Sequence, residues 1–219
     1  MSKVTVAKPL FIMLYGYPGS GKTHVARQLS DTLQAAHLHS DRIRSELFTE
    51  PRFDKEEDQL VEHLMLYMAE EFLKAGVSIV YDANVNRLTD RREFRNIARK
   101  AKANTVLVWL QIDADSAFAR LSRRDRRTSD DKYARNYSRE SFEAELNKMQ
   151  NPNNEDYIVI SGKHTFNTQR SAIIKKLYEM KAINIETTTA NVVKPELVNL
   201  IPNPSAGRVD NARRNILIR

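Results

Sequence analysis

The chain has 219 residues, 41% of them hydrophobic, which is enough for one sizeable core and too little for two full domains. It contains no cysteine, excluding disulfide frameworks and thiolate metal sites and suiting a reducing cytoplasm; residues 1–9 lack the apolar centre of a signal peptide and no apolar run approaches a membrane span, so a soluble protein without membrane partners is expected. The formal net charge of +7 is concentrated, with eight basic against three acidic residues over Arg120–Arg139 and five against two over Ala190–Arg219, so the all-over basic coat of many nucleic-acid binders is excluded.

The first predicted strand, Leu10–Tyr15, runs straight into Gly16-Tyr17-Pro18-Gly19-Ser20-Gly21-Lys22-Thr23, a complete G-x-x-x-x-G-K-T phosphate-binding loop. Glycines let successive backbone N–H groups curl around phosphate oxygens, Lys22 reaches the β and γ phosphates, and the Thr23 hydroxyl ligates Mg²⁺. Lys22–Gln34 follows as a helix with Val25, Ala26, Leu29 and Leu33 on one face, and His24 joins the nucleotide-binding set at its start. A second strand is predicted over Ala36–His39, then a short helix over Arg42–Phe48. A long helix over Asp54–Ala75 carries the stripe Leu60, Val61, Leu64, Met65, Met68 and Phe72 and ends at Gly76 in the C′ position.

A third strand is expected at Ser78–Tyr81, a helix starting near Asp90, and a fourth strand at Thr105–Ile112. The helix from about Asp115 runs into Arg123-Arg124-Asp125-Arg126-Arg127, too charged to be buried, and reads with the helix from Ser138 to about Met149 as a mobile lid. The last strand is Tyr157–Ile160. From Glu186 onward periodicity is lost, and Pro195, Pro202 and Pro204 forbid a continuous helix. Alternating strands and helices predict an α/β P-loop NTPase fold, a five-stranded parallel sheet sandwiched by helices, over residues 1–185 with the lid at about 120–140 and an irregular extension over 186–219.

Several classes drop out. A GTPase would read guanine with Asn-Lys-x-Asp, and the nearest match, Asn147-Lys148-Met149-Gln150, lacks the Asp; a mechanical ATPase needs more chain. The order of strands places Asp41 at the carboxyl edge of the sheet, where it either accepts the proton of an attacking hydroxyl or N-caps the helix after it. Arg44, one turn on, suits an anionic part of the acceptor. Asp82, ending the third strand, suits a magnesium carboxylate or a partner orienting Arg44, with Asn84 and Arg87 on the same edge. Arg120 with Arg124, and Arg123 with Arg127, are i, i+4 pairs whose charge would surround a transferring phosphoryl group.

These motifs in this order, the phosphate loop, Asp41-x-x-Arg44, Asp82-x-Asn84-x-Asn86-Arg87, Arg123-x-x-x-Arg127 and Phe142–Glu155, resemble the P-loop kinases that include polynucleotide 5′-hydroxyl kinase, with zeta-toxin-like, gluconate and chloramphenicol kinases as relatives. The resemblance covers roughly Leu10–Lys181. It implies that Asp41 is the general base, that Arg44 touches an acceptor phosphate, that Arg123 and Arg127 act on ATP phosphates when the lid closes, and that Arg124 assists nucleotide binding. Ala83 stands where polynucleotide kinases often carry Thr. The implied activity is ATP- and Mg²⁺-dependent transfer of the γ-phosphoryl group to a hydroxyl of a small molecule, a nucleotide or a polynucleotide. The competing reading is a non-catalytic or regulatory ATP-binding module associated with RNA.

Overall fold

In a computed structural model of the chain, residues 3–125, 127–128 and 131–186 are described. The elements in order are β1 (Lys3–Val6), β2 (Leu10–Tyr15), α1 (Lys22–Leu33), β3 (Ala36–His39), α2 (Ser40–Leu47), α3 (Lys55–Lys74), β4 (Ile79–Asp82), α4 (Leu88–Lys100), β5 (Asn104–Gln111), α5 (Ala114–Ser122), α6 (Arg139–Lys148), β6 (Tyr157–Ser161), α7 (Phe166–Glu179) and β7 (Ile183–Glu186). The expected extension beyond Glu186, with Arg208, Arg213 and Arg214, lies outside the described residues, as does Arg126.

Five strands form one parallel sheet in the order β3-β4-β2-β5-β6. The centre falls to β2 because all six of its residues are apolar and buried, so neither of its faces can meet water. Its side chains alternate. Leu10, Ile12 and Leu14 pack with Val25 and Leu29 of α1 and Ile173 and Leu177 of α7. Phe11, Met13 and Tyr15 pack on the opposite face with Val61 and Met65 of α3 and Phe94 of α4. Helices therefore cover both faces, the sandwich that the alternating pattern predicts.

Two details depart from the sequence reading. The buried row of α3 is Glu57, Val61, Met65, Ala69 and Leu73, so the predicted stripe is rotated and Leu60 is half exposed. Ala69 reads as neutral in a hydrophobicity pattern, yet it is fully buried in the core beneath α3. In addition, β1 and β7 form a two-stranded antiparallel sheet with Val4 opposite Ile185 and Val6 opposite Ile183. At four residues each they are too short to show a period. Gly76 takes φ +81° just beyond α3, the left-handed stop expected of it. Among the described residues no helix is long and apolar enough to cross a membrane.

One buried ion pair fastens the far end of the site. Arg91 is fully buried; it donates to Val85 O at 2.9 Å, Asn86 O at 3.1 Å and Gln150 O at 3.0 Å, and its Nη2 reaches Glu155 Oε1 at 2.7 Å. Burial pushes the Glu155 carboxyl up, but its bonds from Arg91 and Arg95 outweigh that and hold it below the usual range. Its contribution is therefore present above the ordinary Glu range and fades as pH falls through the lowered pKa. Arg91→Ala is expected to cost about 3–5 kcal/mol, because it removes the buried partner of the Glu155 carboxylate, leaving only Arg95, and strands three carbonyls, whereas Arg95→Ala, which removes a partly exposed partner, costs about 1 kcal/mol or less. Urea denaturation midpoints of the two variants check the contrast.

Candidate active site

The carboxyl ends of β2 and β4 release loops into one cleft of about 350 Å³, and β3 runs straight into α2 at its edge. This is where open parallel sheets bind ligands, because the connection from β2 runs in one direction, to β3, and that from its neighbour β5 in the other, to β6. The loop after β2 forms the floor. Gly16 sits at φ +148°, and a Cβ there would lie 2.6 Å from Leu110 O; Gly19 sits at φ +82°, and a Cβ there would lie 2.3 Å from Ala117 O. Both positions therefore exclude every other residue, on conformation and on space. The helix α1 starts at Lys22 with Gly21 as N-cap, no side-chain cap and no acidic residue in its first turn. Its positive end is left to an anion. The Ser20 hydroxyl, buried beneath the loop, has no hydrogen-bond partner among the described residues.

Lys22 folds back over this loop, its Nζ donating to Gly16 O at 2.7 Å and Tyr17 O at 2.9 Å. Burial lowers its pKa to about 8, with Arg124 adding to the effect and Asp82 and Asp41 opposing it. Asp41 is the second residue of α2, whose N-cap is His39 rather than Asp41. The capping alternative is thus corrected, since the helix begins one residue ahead of it, at Ser40. Its carboxylate instead lines the cleft, where burial, reinforced by Asp82, raises its pKa against His39, Arg44 and Arg124. Asp82 ends β4 and is buried; burial alone would raise it, but the His37 hydrogen bond and the charges of His39 and Lys22 hold it low.

The remaining expected residues divide cleanly. Gly16, Pro18, Gly19, Gly21, Thr23, His24, Asn84, Arg123 and Arg124 line the cleft with Lys22, Asp41 and Asp82. Tyr17 lines a neighbouring hollow with Trp109 and Ile112. Arg44 does not reach the cleft: it is buried between Glu57, at 2.9 Å, and Asp58, over the Phe53 ring. Burial pushes Glu57 up, but the Arg52 and Phe53 N–H groups and Arg44 bring it down to about 2, so the pair is firmly charged. The idea that Asp82 orients Arg44 is corrected accordingly, because α3 brings its own carboxylates to α2. Arg87 is exposed at the N-cap of α4 and is not among the cleft residues.

The i, i+4 geometry of Arg123 and Arg127 is also corrected. Helix α5 ends at Ser122 with Arg123 as its C-cap, and Arg127 is held by Asp125 at 2.8 Å with its side chain 91% exposed. Arg120 stays helical and donates to Gly162 O at 2.8 Å; Arg124 donates to Arg135 O at 3.0 Å and faces Asp131. The hairpin itself is built, with Phe118 of α5 against Phe142 of α6 and Ser138 capping α6.

Sequence reasoning passed over His37 and His39. His39 lines the cleft, and His37 Nε2 lies 3.1 Å from Asp82 Oδ2. The signal was present in the alternation of β3, which puts both histidines on one side, His39 two residues before Asp41.

A family profile described as an AAA domain matches residues 11–152. No curated protein sequence matches the chain. Among solved structures, the chain is similar to the APS kinase CysC of Mycobacterium tuberculosis in complex with AMPPNP and APS, at 17% identity and TM-score 0.58 over 78% of this chain and 98% of that one. It is similar to a gluconokinase from Sinorhizobium meliloti at 12% identity and TM-score 0.58, covering 80% and 94%. It is also similar to Kti12 of Chaetomium thermophilum in complex with ADP-AlF3, at 19% identity and TM-score 0.61, covering 80% and 99%. These likenesses establish the fold as the P-loop NTPase sandwich of such kinases. Because residues 11–152 take in the phosphate loop, Asp41, Asp82 and the α5–α6 arginines as well as most of the sheet, the chain belongs to the AAA domain family.

Proposed function

We propose that the chain is an ATP-dependent phosphotransferase, a kinase that moves the γ-phosphoryl group to the hydroxyl of an acceptor. The observation that carries this reading is the placement of Lys22 and Asp41 on one cleft with opposed pKa shifts, the lysine lowered and the carboxyl raised. The loop N–H groups and the end of α1 hold the triphosphate, and Lys22 exchanges its two carbonyl partners for phosphate oxygens. Asp41 accepts the hydroxyl proton as the acceptor oxygen attacks; its raised pKa makes it the stronger base. Arg120, Arg123 and Arg124 supply positive charge along the other wall. Thr23 and Asp82 are the residues that would hold Mg²⁺, which when bound neutralises charge on the phosphate oxygens.

Arg44, whose two Nη groups are held by Glu57 and Asp58, leaves the acceptor side of the cleft with Asp41 and Asp82 and favours a small acceptor carrying no phosphate. Residues 1–185 are assigned as the kinase domain, with residues of about 120–140 closing over ATP, and 186–219 as an extension.

Asp41→Asn is expected to leave the Kd for ATP within about twofold while lowering transfer to the acceptor by about 10²–10⁴-fold, read by labelled-ATP turnover and calorimetric titration. Unchanged turnover overturns the general-base role; ATP binding without transfer to any hydroxyl acceptor by the wild type would instead mark a regulatory module. The pH response of binding tests Lys22. Its ammonium is charged below about pH 8 and is favoured by bound phosphate, so ATP affinity is full below that pH and falls by up to about tenfold per unit above it. Titrations at about pH 7 and about pH 9.5 check the slope, which Lys22→Ala abolishes.

A further inference from the structure

The side of Asp82 that faces β3 carries a second constellation, independent of the phosphate loop. His37 and His39 are two residues apart on β3, and Asp82 is the register partner of His39 on β4. Strand alternation therefore presents both imidazoles on one side, next to the carboxylate. Their rings are stacked, 5.4 Å apart and 3° from parallel. His37 Nε2 is 3.1 Å and His39 Nε2 is 3.8 Å from the same oxygen, Asp82 Oδ2, and the three donor atoms all lie within 4.8 Å of one another.

A hydrogen-bonded His–Asp pair accounts for His37 alone. His39 is too far for a hydrogen bond to that oxygen, yet its Nε2 is turned toward it. What two imidazole nitrogens and a carboxylate oxygen converging on one point do fit is a metal ion. Zinc–ligand distances of about 2.0–2.2 Å in a tetrahedral site put donor atoms about 3.3 Å from one another, and the observed 3.1 and 3.8 Å bracket that spacing.

We propose that His37, His39 and Asp82 form a three-ligand site for a divalent transition-metal ion of the zinc class, which shares Asp82 with the Mg²⁺ position at Thr23 and Asp82 and differs from it in its two imidazole donors. Two imidazoles and one carboxylate suit borderline first-row ions, whereas Mg²⁺ takes oxygen ligands and keeps its waters. Three protein ligands leave one coordination position open. The ion has a route in: His37 and His39 also line a separate hollow of about 310 Å³ between α2 and α3, with Arg42, Glu46, Leu64 and Met68. His39 and Asp82 belong at the same time to the phosphate cleft, so the site lies in the wall between the two.

The test uses the full chain free of nucleotide and Mg²⁺, titrated with Zn²⁺ against a chromophoric chelator. One ion per chain is expected, with His37→Ala and His39→Ala each weakening binding by at least about tenfold, a margin no smaller than that seen when only a supporting contact is lost. Zinc bound with unchanged affinity in both variants, or not retained by the wild type, overturns the site. Should either variant fail to fold, X-ray absorption of the zinc-loaded wild-type chain decides. Two imidazole nitrogens at about 2.0 Å with one carboxylate oxygen support the assignment. Fewer than two imidazoles place the ion elsewhere on the chain and overturn it.

Discussion

Everything in the site hangs from the burial of β2. A strand whose six side chains are all apolar has to lie at the centre of the sheet, between β4 and β5, with helices on both faces. That position makes its carboxyl end the place where successive crossovers diverge, and it delivers the Gly16–Thr23 loop into the resulting gap. The loop is then clamped from both sides. Leu110 of β5 leaves no room for a Cβ at Gly16, and Ala117 of α5 leaves none at Gly19. The floor of the cleft is thus set by the core and by the start of the α5–α6 hairpin together.

Upon that floor the charged groups are pushed apart by their surroundings. Lys22, Asp41 and Asp82 share one cleft, yet burial moves the first down and the second up while two histidines hold the third low. The three shifts are linked. Asp82 stays charged because His37 and His39 support it; a charged Asp82 helps to keep Lys22 protonated and discourages ionisation of Asp41. A polyphosphate entering beside Lys22 therefore meets an ammonium already partly desolvated, and the cost of stripping its water falls on folding rather than on binding.

Much of this was legible in the residues. The span of β2 follows directly from the hydrophobic run before Gly16 and that of β3 from the short alternating stretch before Ser40, and Ser138 and Gly76 mark helix ends by their own chemistry. The phosphate loop declares itself because its glycines answer to local geometry alone. What could not be read required knowing a neighbour distant in sequence. Arg44 looks like an acceptor contact until α3 brings Glu57 and Asp58 against it. Arg123 and Arg127 look like one helical face until α5 ends at Ser122. β1 and β7 exist through each other, across most of the chain. His37 and His39 acquire meaning only when β4 pairs beside β3 and supplies Asp82.

The arginine-bearing hairpin has two ends of different firmness. Its return from α6 passes Gln150 to Glu155, where a fully buried Arg91 ties it to the loop after β4, and Tyr15 adds a bond to Asn151 at 3.0 Å. That root moves only by breaking a desolvated ion pair and several backbone contacts at once. The described part of the turn between α5 and α6 is held otherwise, by exposed Arg127 on Asp125 and half-buried Arg124 on Asp131. Such solvent-screened pairs hold weakly, and a phosphate oxygen competes with the Asp131 carboxylate for the Arg124 guanidinium, which lines the cleft. The chain thus fixes the root of the hairpin and leaves Arg124, which lines the cleft of the phosphate loop, in a contact that an entering phosphate can exchange.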